Sequence, residues 1–234
     1  MLQRSFHSIF AKDLDKMERV KEENSKDNVR ELILQTALEQ FTKNGIKDVK
    51  MDNIASLLSI SKRTIYEQFN DKEQLLHEVL KLQDERMYKN AKEIVRNSSH
   101  VLEIILKLYN LHFKLLKKVN NKFFSELNKY PEIFKEKQEK EKKNTKKFQA
   151  WMEMGRQQGL FREDADFNIF TFILKRDLTT IIEVKMQTGH TELSNYTPDE
   201  LGKKLILFYL RGISTPKGQQ IIEEYLKRNE TIIE

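Results

Sequence analysis

The sequence predicts a protein made almost entirely of α-helices, and three observations support this fold class. Only 7 Gly and 3 Pro occur among the 234 residues, and neither type occurs between Gly45 and Pro131. Strands need tight turns, which depend on these two residue types, so an all-β fold is nearly excluded. Apolar residues also recur at spacings of three and four along most of the chain, as on one face of a helix. We therefore expect about ten helices and find no convincing strand.

Residues 1–24 carry an apolar stripe at helical spacing, which includes Phe6, Phe10, Leu14 and Met17. Three roles for this segment stay open: docking onto the protein's own helices, disorder, and delivery of its basic residues to phosphate groups. Exposed Phe and Ile side chains are unfavourable in water by about 25 cal/mol per Å². The basic and acidic residues of the segment also nearly cancel. Both observations favour docking.

Residues 25–97 contain four predicted helices, and short motifs mark their ends. Gly45 suits the left-handed C-cap that ends the first of them. The fourth begins at Asn70 or Asp71, and Asn70 with Glu73 three residues later fits a capping box. These helices are predicted at about residues 25–44, 51–58, 62–68 and 71–97.

Residues 98–234 contain six further predicted helices. Pro131 stops a short helix, and the turn GLFRED separates two long ones. Thr197 and Glu200 form a capping box with Pro198 at the first helical position, which is a strong helix start. The six helices are predicted at about residues 104–119, 123–130, 132–158, 166–188, 198–212 and 215–228.

The net charge of +6 suggests an anionic partner, but its distribution weakens that suggestion. Residues 1–80 carry 13 Lys and Arg against 14 Asp and Glu, whereas residues 111–150 carry 12 Lys against 5 Glu. A Lys-rich run on a helix is usually a solvated face. Net charge alone therefore does not establish nucleic-acid binding.

Several classes of protein and site are disfavoured by what the sequence lacks. The longest clean apolar run, Leu205–Leu210, is far shorter than the roughly 20 residues that span a bilayer. The chain has no Cys, and its five His residues show no metal-ligand spacing. Neither a phosphate-binding Gly-rich loop nor a catalytic signature is visible. We expect a cytoplasmic protein that is not an enzyme and needs no metal or cofactor.

Residues 45–76 carry the most specific pattern in the chain. The short helices Met51–Leu58 and Lys62–Gln68 flank the turn Ser59-Ile60-Ser61, which is helix-turn-helix spacing. Ser61 suits the N-cap of the second helix. The residues expected to face inward are Ile54, Ala55, Leu58, Ile60, Ile65 and Phe69. The outer face then carries hydrogen-bond donors and an aromatic ring, which suit a DNA major groove: Lys62, Arg63, Thr64, Tyr66, Glu67 and Gln68.

This pattern resembles the TetR family of bacterial transcriptional regulators over residues 33–76. The family's first helix ends in an aromatic residue and Gly, and its second helix contains Ile-Ala. Its recognition helix begins Ser-Lys-Gly-Thr-Leu-Tyr and is followed by Phe and then Lys-Glu-x-Leu. The matching residues here are Phe41, Gly45, Ile54, Ala55, Ser61–Tyr66, Phe69 and Lys72–Leu75.

The resemblance implies an organisation and a function. Residues 1–24 would be an extension, residues 25–72 a DNA-binding helix-turn-helix domain, and residues 73–234 an effector-binding and dimerisation domain. In the family the last two long helices, here near 166–188 and 198–212, form a four-helix bundle with a second subunit. The implied protein is a homodimeric repressor that binds a palindromic double-stranded DNA operator and is released by a small molecule.

Three departures from the family pattern concern DNA binding. Ser59 stands where the turn usually has Gly, and Arg63 stands where the recognition helix usually has a small residue. Val49 replaces the Thr that caps the second helix, which leaves Asp48 as a possible cap and Lys50 as the expected phosphate contact. The expected DNA-binding residues are Lys50, Ser61, Lys62, Arg63, Thr64, Tyr66, Gln68 and Lys72.

Candidate effector contacts come from aromatic and charged residues of the C-terminal region. They are Tyr109, His112, Trp151, Phe172 and Arg176. For His112 and Trp151 a place in the core is favoured over a pocket. Arg176 interrupts an apolar helix, and three roles stay open for it: a structural ion pair, an effector anchor and a dimer contact.

The alternative to a DNA-binding regulator is a helical interaction protein of the same fold that has lost operator binding. The balanced charge of residues 1–80 supports this alternative. The intact Ser61–Tyr66 segment opposes it.

Overall fold

The computed structural model describes residues 25–186, 193 and 195–230. Within these residues it contains ten helices and no strand, and its β-pairing is an isolated bridge between Phe161 and Ser214. The all-α fold class is therefore confirmed. The expectations for residues 1–24 lie outside the described residues. The helices are α1 (Ser25–Asn44), α2 (Met51–Leu57), α3 (Lys62–Gln68), α4 (Lys72–Arg96), α5 (Val101–Lys118), α6 (Asn121–Leu127), α7 (Pro131–Gln157), α8 (Phe167–Met186), α9 (Pro198–Ile213) and α10 (Pro216–Glu230).

The described residues form two compact units. One contains residues 25–97 with 122–130, and the other contains 98–121 with the described residues from 131 onwards. The first unit therefore continues past residue 72 and takes in α6 from later in the chain. The division of function at residue 72 stays a prediction.

In the first unit α1 packs along α4 and against α2, and α2 packs against α3. The guanidinium of Arg30 binds Glu78 of α4 at 2.7 Å and lies 5.1 Å from the ring centroid of Phe69. It thereby joins α1 to α4 and to the residue after α3. The apolar side chains buried between these helices include Ile33, Ala37, Phe41, Ile54, Ile65, Phe69, Leu75, Leu76 and Val79.

In the second unit α5 packs against α7, α9 and α10, and α8 packs against α7 and α9. Leu102 and Ile104 of α5 are fully buried. Gly202 lets α9 approach α5 closely, because a Cβ there would lie 2.3 Å from the ring of Phe113. The turn after α7 is joined to the segment before α10, since Leu160 accepts a hydrogen bond from the N–H of Thr215 at 3.0 Å.

The helix ends mostly follow the capping predictions. Gly45 has a φ of +89°, as expected for a left-handed C-cap, and Thr197 forms the capping box with Glu200. Of the two candidates for the start of the long helix, Asp71 is the N-cap of α4, and its carboxylate accepts a hydrogen bond from the N–H of Gln74. The capping box expected from Asn70 and Glu73 is wrong, because Asn70 lies one residue before the cap.

The described residues lack the features of a membrane span and of a metal site. No helix among them is both long enough and apolar enough to cross a membrane. They also contain no group of three or more His, Cys, Asp or Glu side chains that could hold a metal ion.

Candidate nucleic-acid interface

Helices α2 and α3 form the helix-turn-helix that the sequence predicts. Each has seven residues, and the turn between them is closed by the N–H of Ile60, which donates to the carbonyl of Ala55 at 3.0 Å. Ile54, Ala55, Ile65 and Phe69 are buried as predicted, whereas Leu58 and Ile60 are half-buried. The apolar faces of α2 and α3 therefore meet the core and leave the opposite face of α3 in solvent.

The start of α3 is fixed by Ser61. Its hydroxyl oxygen accepts a hydrogen bond from the N–H of Thr64 at 3.0 Å and lies 2.8 Å from the hydroxyl of Thr64. This confirms the predicted N-cap. The hydroxyl groups of Ser61 and Thr64 are therefore within hydrogen-bonding distance of each other in the first turn of α3.

The exposed face of α3 carries two cations, each held by a carboxylate. Lys62 binds Asp52 of α2, and Nε of Arg63 binds Glu67 at 2.8 Å. Each carboxylate stabilises the protonated cation, so the pKa values of Lys62 and Arg63 are raised and both groups stay positively charged.

The remaining predicted contacts of α3 differ in exposure. Tyr66 is 50% exposed, so its ring lies at the surface of α3 and not in the core. Thr64 and Gln68 are half-buried. The structure therefore presents Lys62, Arg63 and Tyr66 as the outermost of the predicted DNA-binding side chains on α3.

The start of α2 differs from the sequence interpretation. Lys50 is the N-cap residue, and its side chain makes no capping hydrogen bond. Asp48 does not cap the helix. It binds Lys122 of α6 at 2.9 Å, and this contact lowers the pKa of the Asp48 carboxyl. The side chain of Lys50 is exposed, as a phosphate-binding group requires.

Lys72 has a structural role that the sequence did not reveal. Its ammonium group donates hydrogen bonds to the carbonyls of Ile46, Lys47 and Val49 at 3.0, 3.2 and 3.1 Å. These bonds hold the segment that leads into α2. Contact between Lys72 and DNA stays a prediction, and any such contact would share the ammonium group with these carbonyls.

The same segment is held from its other side by α6. One carboxylate oxygen of Glu126 accepts hydrogen bonds from the N–H groups of Ile46 and Lys47 at 2.6 and 2.7 Å. Gly45 is required at this contact, because a Cβ would lie 2.9 Å from the Cβ of Lys122. Sequence reasoning missed Glu126, since its partners lie about 80 residues earlier and no local motif links them.

The five candidate effector residues lie in the second unit, in two kinds of environment. Tyr109 and Trp151 are buried, whereas Phe172 is 66% exposed and Arg176 is exposed. His112 is exposed, so its assignment to the core is wrong. Its ring lies 6.3 Å from that of Phe113, which also contacts Tyr109 at a centroid distance of 4.6 Å. The structure thus brings Tyr109 and His112 to one aromatic cluster and leaves Phe172 and Arg176 on a solvent-facing surface.

Comparison with known sequences identifies the helix-turn-helix unit. Residues 33–79 match the family model described as bacterial regulatory proteins, tetR family. The chain is also 36% identical over 69 residues to YhgD, an uncharacterized HTH-type transcriptional regulator of Bacillus subtilis (strain 168). That stretch is 30% of this chain and 36% of the relative, so the match spans about a third of the relative's length.

Solved structures share the fold over most of the chain. A putative transcriptional regulator from Saccharomonospora viridis, in complex with choline, is 21% identical with a TM-score of 0.68, covering 81% of this chain and 99% of that one. A TetR family regulator from Agrobacterium tumefaciens is 15% identical with a TM-score of 0.65, covering 82% and 100%. At these identities the likeness establishes the shared fold, an N-terminal helix-turn-helix domain followed by a helical region.

Proposed function

We propose that this chain, whose residues 33–79 match the model of the TetR family of transcriptional regulators, is a homodimeric repressor of that family that binds a palindromic operator and is released by a small molecule. The observation that carries the proposal is the exposed face of α3. A capped helix with its apolar side in the core presents Lys62, Arg63 and Tyr66 together. Cations and an aromatic hydroxyl on one helical face suit the base edges and phosphates of a major groove.

The expected contacts divide into two kinds. Arg63 extends from the second position of α3 and suits bidentate bonding to guanine. Lys62 and Tyr66 on the same helix, and Lys50 at the start of α2, suit phosphate oxygens, which position the protein without reading sequence. Ser61 and Thr64 contribute chiefly by fixing the start of α3, since their hydroxyls already face each other.

Dimerisation is supported by apolar side chains that one chain leaves in solvent. Ile169 and Phe172 of α8 and Phe208 of α9 are 57%, 66% and 70% exposed. Ile169, Phe172 and Arg176 share one face of α8, because they are three and four residues apart. Among the roles left open for Arg176, this placement favours a dimer contact. A second copy of the chain that covered Ile169, Phe172 and Phe208 would bury apolar surface whose exposure to water is unfavourable.

Release by an effector requires that the small molecule bind the DNA-incompetent state more tightly than the competent one. The aromatic cluster around Phe113, with Tyr109 and His112, is the preferred place for such a molecule, and Trp151 stays a candidate. The choline bound to the Saccharomonospora viridis regulator supports a small-molecule effector for this fold.

The alternative is an interaction protein that has lost operator binding. Two observations favour it: the balanced charge of residues 1–80, and the pairing of Lys62 and Arg63 with carboxylates on the same surface. Carboxylates near phosphates weaken nonspecific DNA binding. The proposal therefore predicts selective binding with a modest electrostatic contribution.

Selection from a random duplex DNA library distinguishes the two functions. A repressor should enrich an inverted repeat whose half-sites are about one helical turn apart. Lys50→Ala should weaken binding to every enriched sequence alike and lower the slope of log K against log salt by about 0.9. Glu132→Ala, on the exposed start of α7, is the control and should change neither. Failure of the wild-type protein to enrich any sequence would favour the interaction protein.

A further inference from the structure

We infer that Glu67 is a positioning residue that holds Arg63 for end-on reading of one guanine in each half-site, an inference that rests on the proposed DNA-binding function. The contact behind it joins Nε of Arg63 to Oε1 of Glu67 at 2.8 Å. Both residues lie on α3, one helical turn apart, and both side chains point to solvent, at 87% and 56% exposure.

The atoms used in this contact decide what remains available. An arginine can bond a guanine side-on, through Nε and one Nη, or end-on, through both Nη groups. Here Nε is occupied by the carboxylate, and the bonds described for this part of the chain involve neither Nη group. The two Nη groups of Arg63 therefore stay available for hydrogen bonds, in the geometry that matches O6 and N7 of guanine.

Helix stability does not explain the pair. Arg63 precedes Glu67, whereas a helix is stabilised more when the acid lies four residues before the base. Exposed pairs of this kind also contribute little to folding in either order. Elsewhere in the chain, Glu224 and Arg228 of α10 and Asp199 and Lys203 of α9 have the stabilising order.

The negative charge of Glu67 needs an explanation at this place on α3. A carboxylate on the face that meets DNA repels phosphates and lowers affinity for every sequence. Its presence is accounted for if it restricts the long Arg63 side chain to one orientation, because less side-chain entropy is then lost on binding the correct base. Glu67 thus exchanges general affinity for discrimination at one base pair.

The test measures base preference, which repulsion alone does not change. Wild type, Arg63→Ala, Glu67→Ala and the double variant are each used to select duplexes from a random library. Binding is then measured to the enriched operator and to copies with each base pair changed. Arg63→Ala should lose a guanine preference of roughly 5- to 150-fold at one position of each half-site. Glu67→Ala should lower the preference at that same position by about two- to tenfold.

The double variant tests whether Glu67 acts through Arg63. With Arg63 already replaced by Ala, removing Glu67 should not change the preference at that position any further. Glu67→Gln, which keeps a carbonyl acceptor without the charge, should recover part of the preference. Glu224→Ala, which removes the acid of the exposed pair on α10, is the matched control and should leave every position unchanged.

Two results would overturn the inference. One is that Glu67→Ala tightens binding to all sequences alike and leaves the preference at every position as in wild type. The other is that Glu67→Ala lowers the preference equally with and without Arg63. If wild type enriches no sequence at all, the proposed function itself fails, which is a different result from either of these.

Discussion

Ser59 illustrates how one residue in the helix-turn-helix turn affects stability. Its φ is 54°, in the left-handed region that favours Gly, the residue that the TetR family usually has at this position. The left-handed conformation costs a non-glycine residue about 1–2 kcal/mol. Replacing Ser59 by Gly would relieve this cost, but the greater freedom of Gly in the unfolded chain would offset about 0.4–1 kcal/mol of the stabilisation.

We therefore predict that Ser59→Gly stabilises the protein by about 0.5–1 kcal/mol, measured as the free energy of unfolding in denaturant. Ser56→Gly is the matched control, because Ser56 is exposed within α2 and has helical geometry. That change should destabilise by about 0.5 kcal/mol. Equal destabilisation by the two variants would show that the turn carries no strain.

His100 is a cap that the sequence did not reveal. It is the N-cap residue of α5, and its Nδ1 accepts a hydrogen bond from the N–H of Glu103 at 3.2 Å. Only the neutral imidazole has a lone pair for this bond. Burial lowers the pKa of His100 from its ordinary value of 6.5, and the opposing effect of Glu103 and the effects of Arg228, Glu224 and Lys107 are smaller.

A lowered pKa in the folded state fixes the sign of the pH dependence. Below about pH 6.5 the unfolded chain binds a proton at His100 before the folded chain does, so folding stability falls as the pH falls. The contribution is complete above pH 6.5 and is lost as the pH drops through the folded-state pKa. His100→Asn keeps a good N-cap without a titrating group.

We predict that the melting temperature of wild type falls more than that of His100→Asn between pH 7.5 and 5.5. Thermal melts in the same buffers measure the difference, and the other titrating residues are common to both proteins. His77→Asn, on α4, is the control for replacing a histidine by asparagine away from this cap. Parallel curves for wild type and His100→Asn would contradict the assignment.

At the scale of elements, the segment between α1 and α2 is held by side chains from two other helices. Lys72 of α4 binds its carbonyls, and Glu126 of α6 binds its N–H groups. The charges of the ammonium and carboxylate groups match the partial charges of the groups that each binds. Helix α6 thereby belongs to the same compact unit as the helix-turn-helix.

We predict that Glu126→Ala destabilises the protein by about 1–3 kcal/mol, because the N–H groups of Ile46 and Lys47 lose a charged acceptor. Glu126→Gln should cost less, since its amide oxygen still accepts hydrogen bonds. Denaturant unfolding measures both variants, and Glu132→Ala on α7 controls for removal of an exposed acid. If Glu126→Ala unfolds at the same midpoint as the control, the contact does not hold the segment.

At the scale of the whole molecule, the exposed apolar side chains of α8 and α9 predict a dimer. Phe208→Glu would place a charge among these exposed apolar side chains and should give a species near 28.0 kDa in sedimentation at micromolar concentration, where wild type has twice that mass. Leu57→Glu is the control, because Leu57 is also exposed but lies on α2. A wild-type protein that sediments as a monomer at this concentration would disprove the dimer.

The sequence by itself determined the fold class, the order of the helices and the helix-turn-helix. These features depend on local signals: apolar spacing of three and four residues, capping residues such as Ser61 and Thr197, and Gly45 at a helix end. Each signal acts within a few residues of its position. Sequence patterns can therefore report them without knowledge of the rest of the chain.

Only the tertiary structure decided which side chains share a site. Glu126 meets Ile46, Lys72 meets the carbonyls before α2, and Asp48 binds Lys122 rather than capping a helix. The tertiary structure also decided that Phe172 is exposed on α8 whereas Tyr109 is buried. These outcomes depend on how helices pack across long stretches of sequence, and many pairings compete for the same charged side chain. Local sequence patterns cannot show which of these pairings forms, because that depends on distances and burial in the folded chain.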